Sequence, residues 1–189
     1  ETKAAEGYAT TDTIHTVRLT TTETKELKVS DKVLRAGIRL VKTDADLGEN
    51  RAQGTATLKG AEITITNESE YEVTADGKTY AKGEAVLVLT TDADGPAATK
   101  ADALQVGKYS WKETKAPAGY GIGQKSSGTF EITADKAGTV IDLAGQGPVD
   151  EVLKAGVKIG KLDHELDAQA PQGDALLSGA VIEIASETS

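Results

Sequence analysis

The sequence contains no cysteine and no methionine, and its aromatic residues are few: one Trp, one Phe and five Tyr. The lack of cysteine excludes disulfides, thiolate zinc sites and cysteine nucleophiles. So few aromatic side chains leave a thin core, which favours many short strands joined by turns. If such a protein works outside the cell, something other than disulfides must stabilise it.

The sequence also has fewer basic than acidic residues: it contains 21 Lys and Arg residues and 30 Asp and Glu residues, and its formal net charge is -9. The sequence therefore offers no basic stripe for nucleic-acid phosphates and no polybasic patch for anionic lipid. It also has no apolar run long enough to span a bilayer and no signal-peptide pattern. We expect no nucleic-acid partner and no membrane insertion. A chain that starts at Glu1 and lacks Met is interpreted as part of a longer polypeptide.

The sequence repeats itself. DKVLRAGIRLVK at 31–42 matches DEVLKAGVKIGK at 150–161, an offset of 119 residues (150 − 31), and ETKAAEGY at 1–8 matches ETKAPAGY at 113–120, an offset of 112 (113 − 1). These matches predict three segments: 1–34 as the end of one repeat, 35–153 as a complete repeat, and 154–189 as the start of another. Inside the complete repeat, short strand-like segments separated by Gly, Asp and Pro predict an all-β sandwich, with a hairpin turn at Asp76-Gly77.

Strand alternation directs a lysine and two carboxylates toward the core. On each of three strands a charged residue shares a face with two apolar residues: Lys42 with Ile38 and Leu40, Glu113 with Tyr109 and Trp111, and Asp31 with Leu27 and Val29. Asp150 is the repeat counterpart of Asp31. Burial favours the neutral forms of these groups, so a Lys amine beside an Asp carboxyl is set up to condense to an amide and release water. On spacing alone, an ordinary buried ion triad remains the alternative.

Further motifs follow in a fixed order: IRLVKTD at 38–44, LKGAEI at 58–63, TTDADG at 90–95, VGKY at 106–109 and WKETKAPAGY at 111–120. This order resembles that of Cna B-type domains, the stalk repeats of collagen adhesins and pilins, and the ETKAPAGY string resembles the family's E-box. The resemblance covers the whole middle repeat and, through the internal match, both end pieces. It implies a Greek-key β-sandwich of the transthyretin type, arranged in tandem repeats.

The same resemblance implies an isopeptide bond. Lys42 is the expected nucleophile, Glu113 the catalytic acid/base and Asp150 the acceptor. Asp is less common than Asn at the acceptor position, and Asp142 is an alternative acceptor because the stretch before Asp150 is longer than in the first repeat. The partial-repeat equivalents are Glu1, Asp31 and Lys161. They lack partners within their own segments, so we expect no bond there.

The function implied is that of a structural stalk segment in a cell-wall-anchored adhesin or pilus, on the surface of a Gram-positive bacterium. Its partners are neighbouring repeats, and a host ligand is expected to bind other domains. A ligand-binding adhesin module and a polymerising pilin subunit are the alternatives. Self-cross-linking is a single-turnover event, so we expect no enzyme in the usual sense. We expect no cofactor and no metal, because Asp44-Ala45-Asp46 and Asp92–Gly95 lack calcium-loop spacing.

Overall fold

The computed structural model describes residues 1–185. The chain divides after Val152 into two compact units, Glu1–Val152 and Leu153–Ser189. The first unit is built from strands and two single-turn 3-10 helices, which confirms the all-β prediction. Within the described residues, no helix is long and apolar enough to cross a membrane.

The strands of the first unit, in chain order, are β1 (Tyr8–Ala9), β2 (Lys32–Val33), β3 (Arg35–Val41), β4 (Thr43–Asp44), β5 (Glu62–Asn67), β6 (Val73–Ala75), β7 (Lys78–Tyr80), β8 (Ala85–Thr90), β9 (Pro96–Ala98), β10 (Leu104–Gln105), β11 (Gly107–Lys115), β12 (Tyr120–Lys125), β13 (Ser127–Ile132), β14 (Val140–Asp142) and β15 (Val149–Val152). The 3-10 helices are Ala134–Lys136 and Ala144–Gln146. Asp76 and Gly77 join β6 to β7 with φ angles of 47° and 73°, as the predicted hairpin turn requires.

Two layers enclose the core. One is the antiparallel sheet β13-β11-β5-β8. The other is centred on β3, which pairs with β9 and β10 in antiparallel and with β14 in parallel. Inward residues of both layers form one apolar cluster that includes Ile38, Leu40, Ile63, Ile65 and Trp111. The period-2 alternation of β5 and β11 therefore buries one face of that sheet, as the sequence pattern predicts.

The strand run β3–β4 changes sheets at Lys42. Before this residue, β3 belongs to the sheet with β14; after it, β4 pairs in parallel with β15, in the order β12-β15-β4. The Lys42 amide donates to Gly95 O at 2.8 Å, whereas the next amide, of Thr43, donates to Pro148 O at 3.0 Å. Lys42 therefore stands where the two sheets meet, at the end of the core.

Residues 1–34 form a strand pair whose sequence counterparts also pair within residues 35–153. Tyr8 pairs with Val33 in β1–β2, and their counterparts at offsets of 112 and 119, Tyr120 and Val152, pair in β12–β15. The predicted inward strand face at Leu27 and Val29 is wrong, because both residues are about half exposed and lie outside any strand. In the middle repeat, β15 is flanked on its other side by β4, and residues 1–34 contain no counterpart of β4.

Candidate functional site

Lys42, Glu113 and Asp150 meet in the interior of the first unit. Lys42 Nζ lies 2.8 Å from Glu113 Oε2 and 2.5 Å from Asp150 Oδ1. All three side chains are completely enclosed, with 0% exposure. Strand alternation thus directed Lys42 and Glu113 to the correct face, whereas Asp150 was identified only as the repeat counterpart of Asp31.

Each residue reaches this point from a different strand. Lys42 follows β3 at the change of sheet. Glu113 is the last inward residue of β11 before an irregularity in its pairing with β5, between Glu113 and Lys115. Asp150 lies in β15 opposite Asp44. The triad therefore ties together both core layers and the three-stranded sheet.

The carboxylate oxygens of Glu113 and Asp150 differ in how many hydrogen-bond partners they have. Asp150 Oδ1 accepts the Gly123 amide at 2.9 Å in addition to Lys42 Nζ. By contrast, Asp150 Oδ2 and Glu113 Oε1 are buried without a hydrogen-bond partner. A buried carboxylate oxygen without a partner is costly, and a proton shared between the two carboxyl groups removes that cost.

Burial raises the pKa of Glu113 to about 7. The hydrogen bond and charge of Lys42 act against this rise, and the neighbouring Asp150 carboxylate adds to it. Glu113 is consequently poised to take up and release a proton near neutral pH, as a general acid/base must.

An amine held against a carboxyl group, with a proton-exchanging acid beside both and no access to water, has the parts needed for amide formation. Contact between Lys42 Nζ and Asp150 Oδ1 brings the nucleophile within reach of the carboxyl carbon. Exclusion of water favours condensation, because water is the product that leaves and hydrolysis is the reverse reaction.

Gly123 sets the distance between β12 and β15. A Cβ at this position would lie 2.1 Å from Val149 O. We therefore expect Gly123→Ala to push the two strands apart and to lower the free energy of unfolding by about 1–3 kcal/mol, measured by chemical denaturation in a Glu113→Gln background. Gly145→Ala is the control, because a Cβ there meets nothing within 4 Å. Equal stability of the two variants would contradict the prediction.

The alternative acceptor Asp142 does not join the triad. Its carboxylate is mostly exposed and lies 3.2 Å from Arg39 Nη1, across the parallel pair β14–β3. The partial-repeat residues also lie in different surroundings from the triad: Glu1 and Lys161 are exposed, and Asp31 is half-buried. The enclosed arrangement is thus specific to Lys42, Glu113 and Asp150.

Asp44 is a second buried polar residue next to the triad, and the sequence did not identify it as part of the site. The fully buried Asp44 carboxylate accepts the Tyr120 hydroxyl at 2.6 Å, the Gln53 side-chain amide at 2.9 Å and the Leu47 amide at 2.9 Å. Burial raises the pKa of Asp44, but these hydrogen bonds outweigh it and hold that pKa below its ordinary value. The sequence did contain a signal for this contact, because the counterparts of Asp44 and Gln53 at the offset of 119 are again an Asp and a Gln, Asp163 and Gln172.

Comparison with known proteins gives one family. A model described as the SpaA prealbumin-like fold domain matches residues 38–146. No curated protein matches the chain. The fold predicted from the resemblance to transthyretin-like domains is therefore confirmed.

Three solved structures illustrate the likeness. The TIE protein of Bacillus anthracis is 26% identical, with a TM-score of 0.55 over 80% of this chain and 24% of its own. The minor pilin of Streptococcus agalactiae is 17% identical, with a TM-score of 0.41 over 69% of this chain and 51% of its own. The major pilin SpaD of Corynebacterium diphtheriae is 20% identical, with a TM-score of 0.39 over 62% and 30%. The chain thus spans a quarter to a half of the length of these proteins.

Proposed function

The chain belongs to the SpaA family of prealbumin-like fold domains, and on that premise we propose that it is a structural stalk segment of a Gram-positive surface adhesin or pilus, stabilised by an isopeptide bond between Lys42 and Asp150. One observation supports the bond above all others: a fully enclosed Lys amine in contact with two carboxyl groups. Two carboxylates and one ammonium in an enclosed site are costly as ions, and condensation removes one charge of each sign.

The reaction balances as the loss of one water. Lys42 Nζ forms a bond to Asp150 Cγ and gives up two protons. One Asp150 oxygen breaks from Cγ and leaves with both protons as water. Glu113, beside both groups, relays the protons and ends in its starting form. Each chain reacts once, so the protein modifies itself and is not an enzyme in the usual sense.

The position of the bond suits a segment under tension. β3 leads into Lys42 and β15 leads out of Asp150, so the bond joins the first long strand of the repeat to its last. Load would pass from β3 through the amide into β15, without pulling on the chain between Lys42 and Asp150. The neighbours that transmit this load are adjacent repeats of the same polypeptide, on the outside of the cell wall.

Intact mass tests this proposal directly. We expect the purified chain to be lighter than its sequence mass by one water, because the amide replaces an amine and an acid. Asp150→Ala should have its full mass, whereas Asp142→Ala should still lack one water, since Asp142 lies outside the enclosed site. A full mass for the unsubstituted chain would overturn the cross-link.

A further inference from the structure

The Tyr120 hydroxyl connects two strands that do not pair with each other. Tyr120 begins β12, and its hydroxyl donates to Asp44 Oδ2 in β4 over 2.6 Å. The strand between them is β15, which bears Asp150. The hydroxyl also accepts the Gln53 amide at 3.3 Å, so its hydrogen-bonding capacity is used. The Tyr120 side chain therefore crosses the strand that supplies the proposed acceptor.

The path of this side chain across β15 is defined by the register. Tyr120 pairs with Val152, and Asp44 pairs with Asp150. Paired residues share a face of the sheet, as do residues two apart on one strand, so all four side chains lie on one face. The Tyr120 ring accordingly passes between the side chains of Asp150 and Val152. Glu151 points to the opposite, exposed face.

The backbone alone specifies this register weakly. β15 pairs with β4 at only two positions, Val149 with Thr43 and Asp150 with Asp44. Its pairing with β12 is irregular between Gly121 and Lys125. A slip of one residue would turn Asp150 to the outside and put Glu151 on the inner face, where the Tyr120 ring crosses.

The Asp44 carboxylate is held in place by hydrogen bonds from residues close to it in the sequence. Gln53 and the Leu47 amide both donate to its carboxylate. In the second unit, Gln172 and the Leu166 amide donate to Asp163 Oδ1 at 2.8 and 3.0 Å in the same pattern. The turn around this aspartate thus forms from nearby residues, and it presents a fixed acceptor to Tyr120.

We propose that Tyr120 and Asp44 are positioning residues that fix the register of β15 and so deliver Asp150, rather than Glu151, to Lys42. This inference rests on the proposed cross-link and adds a requirement to it. Neither residue exchanges protons with the reacting atoms; their hydrogen bond acts through β15.

The test follows bond formation in time. The full chain is made by chemical synthesis, kept in denaturant and diluted into refolding buffer, and intact mass is recorded at intervals. We expect Tyr120→Phe to slow water loss by about tenfold, because a displaced reacting group loses its alignment. Peptide mapping of that variant should also find a fraction of Lys42 bonded to Glu151. Asp44→Asn, which keeps one acceptor oxygen, should slow the reaction less.

Tyr109→Phe is the matched control. It removes a hydroxyl from another buried tyrosine of the same repeat, one that donates to Gln105 O at 2.8 Å and not to Asp44. Fluorescence of the buried Trp111 reports folding in every variant. If the unsubstituted chain loses water while Tyr120→Phe reacts at the Tyr109→Phe rate and only at Asp150, the positioning role is overturned. If the unsubstituted chain loses no water, the cross-link itself fails.

Discussion

A Glu113→Gln chain is expected to melt about 15 °C below the unsubstituted protein, because it should lack the proposed bond between Lys42 and Asp150. Lys42 and Asp150 are 108 positions apart (150 − 42). Cross-linking a loop of this length removes unfolded-state entropy equivalent to about 4–5 kcal/mol. In a domain of roughly 120–150 residues, each kcal/mol shifts the melting temperature by about 3–4 °C.

Calorimetry on samples of known intact mass measures this difference. Gln keeps the shape and a hydrogen-bonding oxygen of Glu113, so packing changes little while the acid/base group is lost. Glu131→Gln is the control, because Glu131 is an exposed carboxylate on the neighbouring strand β13. The stabilising role of the cross-link would be refuted by a Glu113→Gln chain that has its full mass and melts with the control.

Bond formation is expected to slow by about tenfold between pH 6 and pH 8, as Glu113 loses its proton. Burial raises the pKa of Glu113 to about 7, and Asp150 adds to this while Lys42 opposes it. The protonated fraction then falls from about 90% at pH 6 to about 10% at pH 8. The protonated form is the one that can give a proton to the leaving oxygen of Asp150.

The measurement is the rate of water loss after dilution from denaturant into buffers between pH 5 and pH 9. Trp111 fluorescence, recorded in parallel on Glu113→Gln, shows whether folding itself changes over this range. A rate that rises from pH 6 to pH 8 would contradict the prediction.

Sequence reasoning located Lys42 and Glu113 because each ends a run of alternating apolar residues, and alternation determines the face of a strand. Asp150 came from the repeat. Only the structure shows that Asp150, and not Asp142, lies beside Lys42, since β14 and β15 both run parallel to parts of β3–β4. Strand pairing between segments a hundred residues apart leaves no local pattern in the sequence.

Two further parts of the site were beyond sequence reasoning for different reasons. The donor at Gly123 is a backbone amide, which any residue but proline possesses, so nothing in the sequence marks it. The Tyr120–Asp44 hydrogen bond joins residues 76 positions apart, and each had a simpler explanation, as part of a motif or of a turn. Only the three-stranded order β12-β15-β4 brings them together.

If the proposed cross-link forms, the order of Lys42, Glu113 and Asp150 along the chain has a consequence for export. Lys42 and Glu113 precede Asp150, which lies in the last strand of the repeat. A polypeptide that leaves the cell amino end first therefore emerges almost to the end of each repeat before a covalent ring can close. A linear chain passes through a narrow translocation channel, whereas a ring of more than a hundred residues does not. In the proposed stalk, the place of Asp150 in β15 would delay ring closure until the repeat has crossed the membrane.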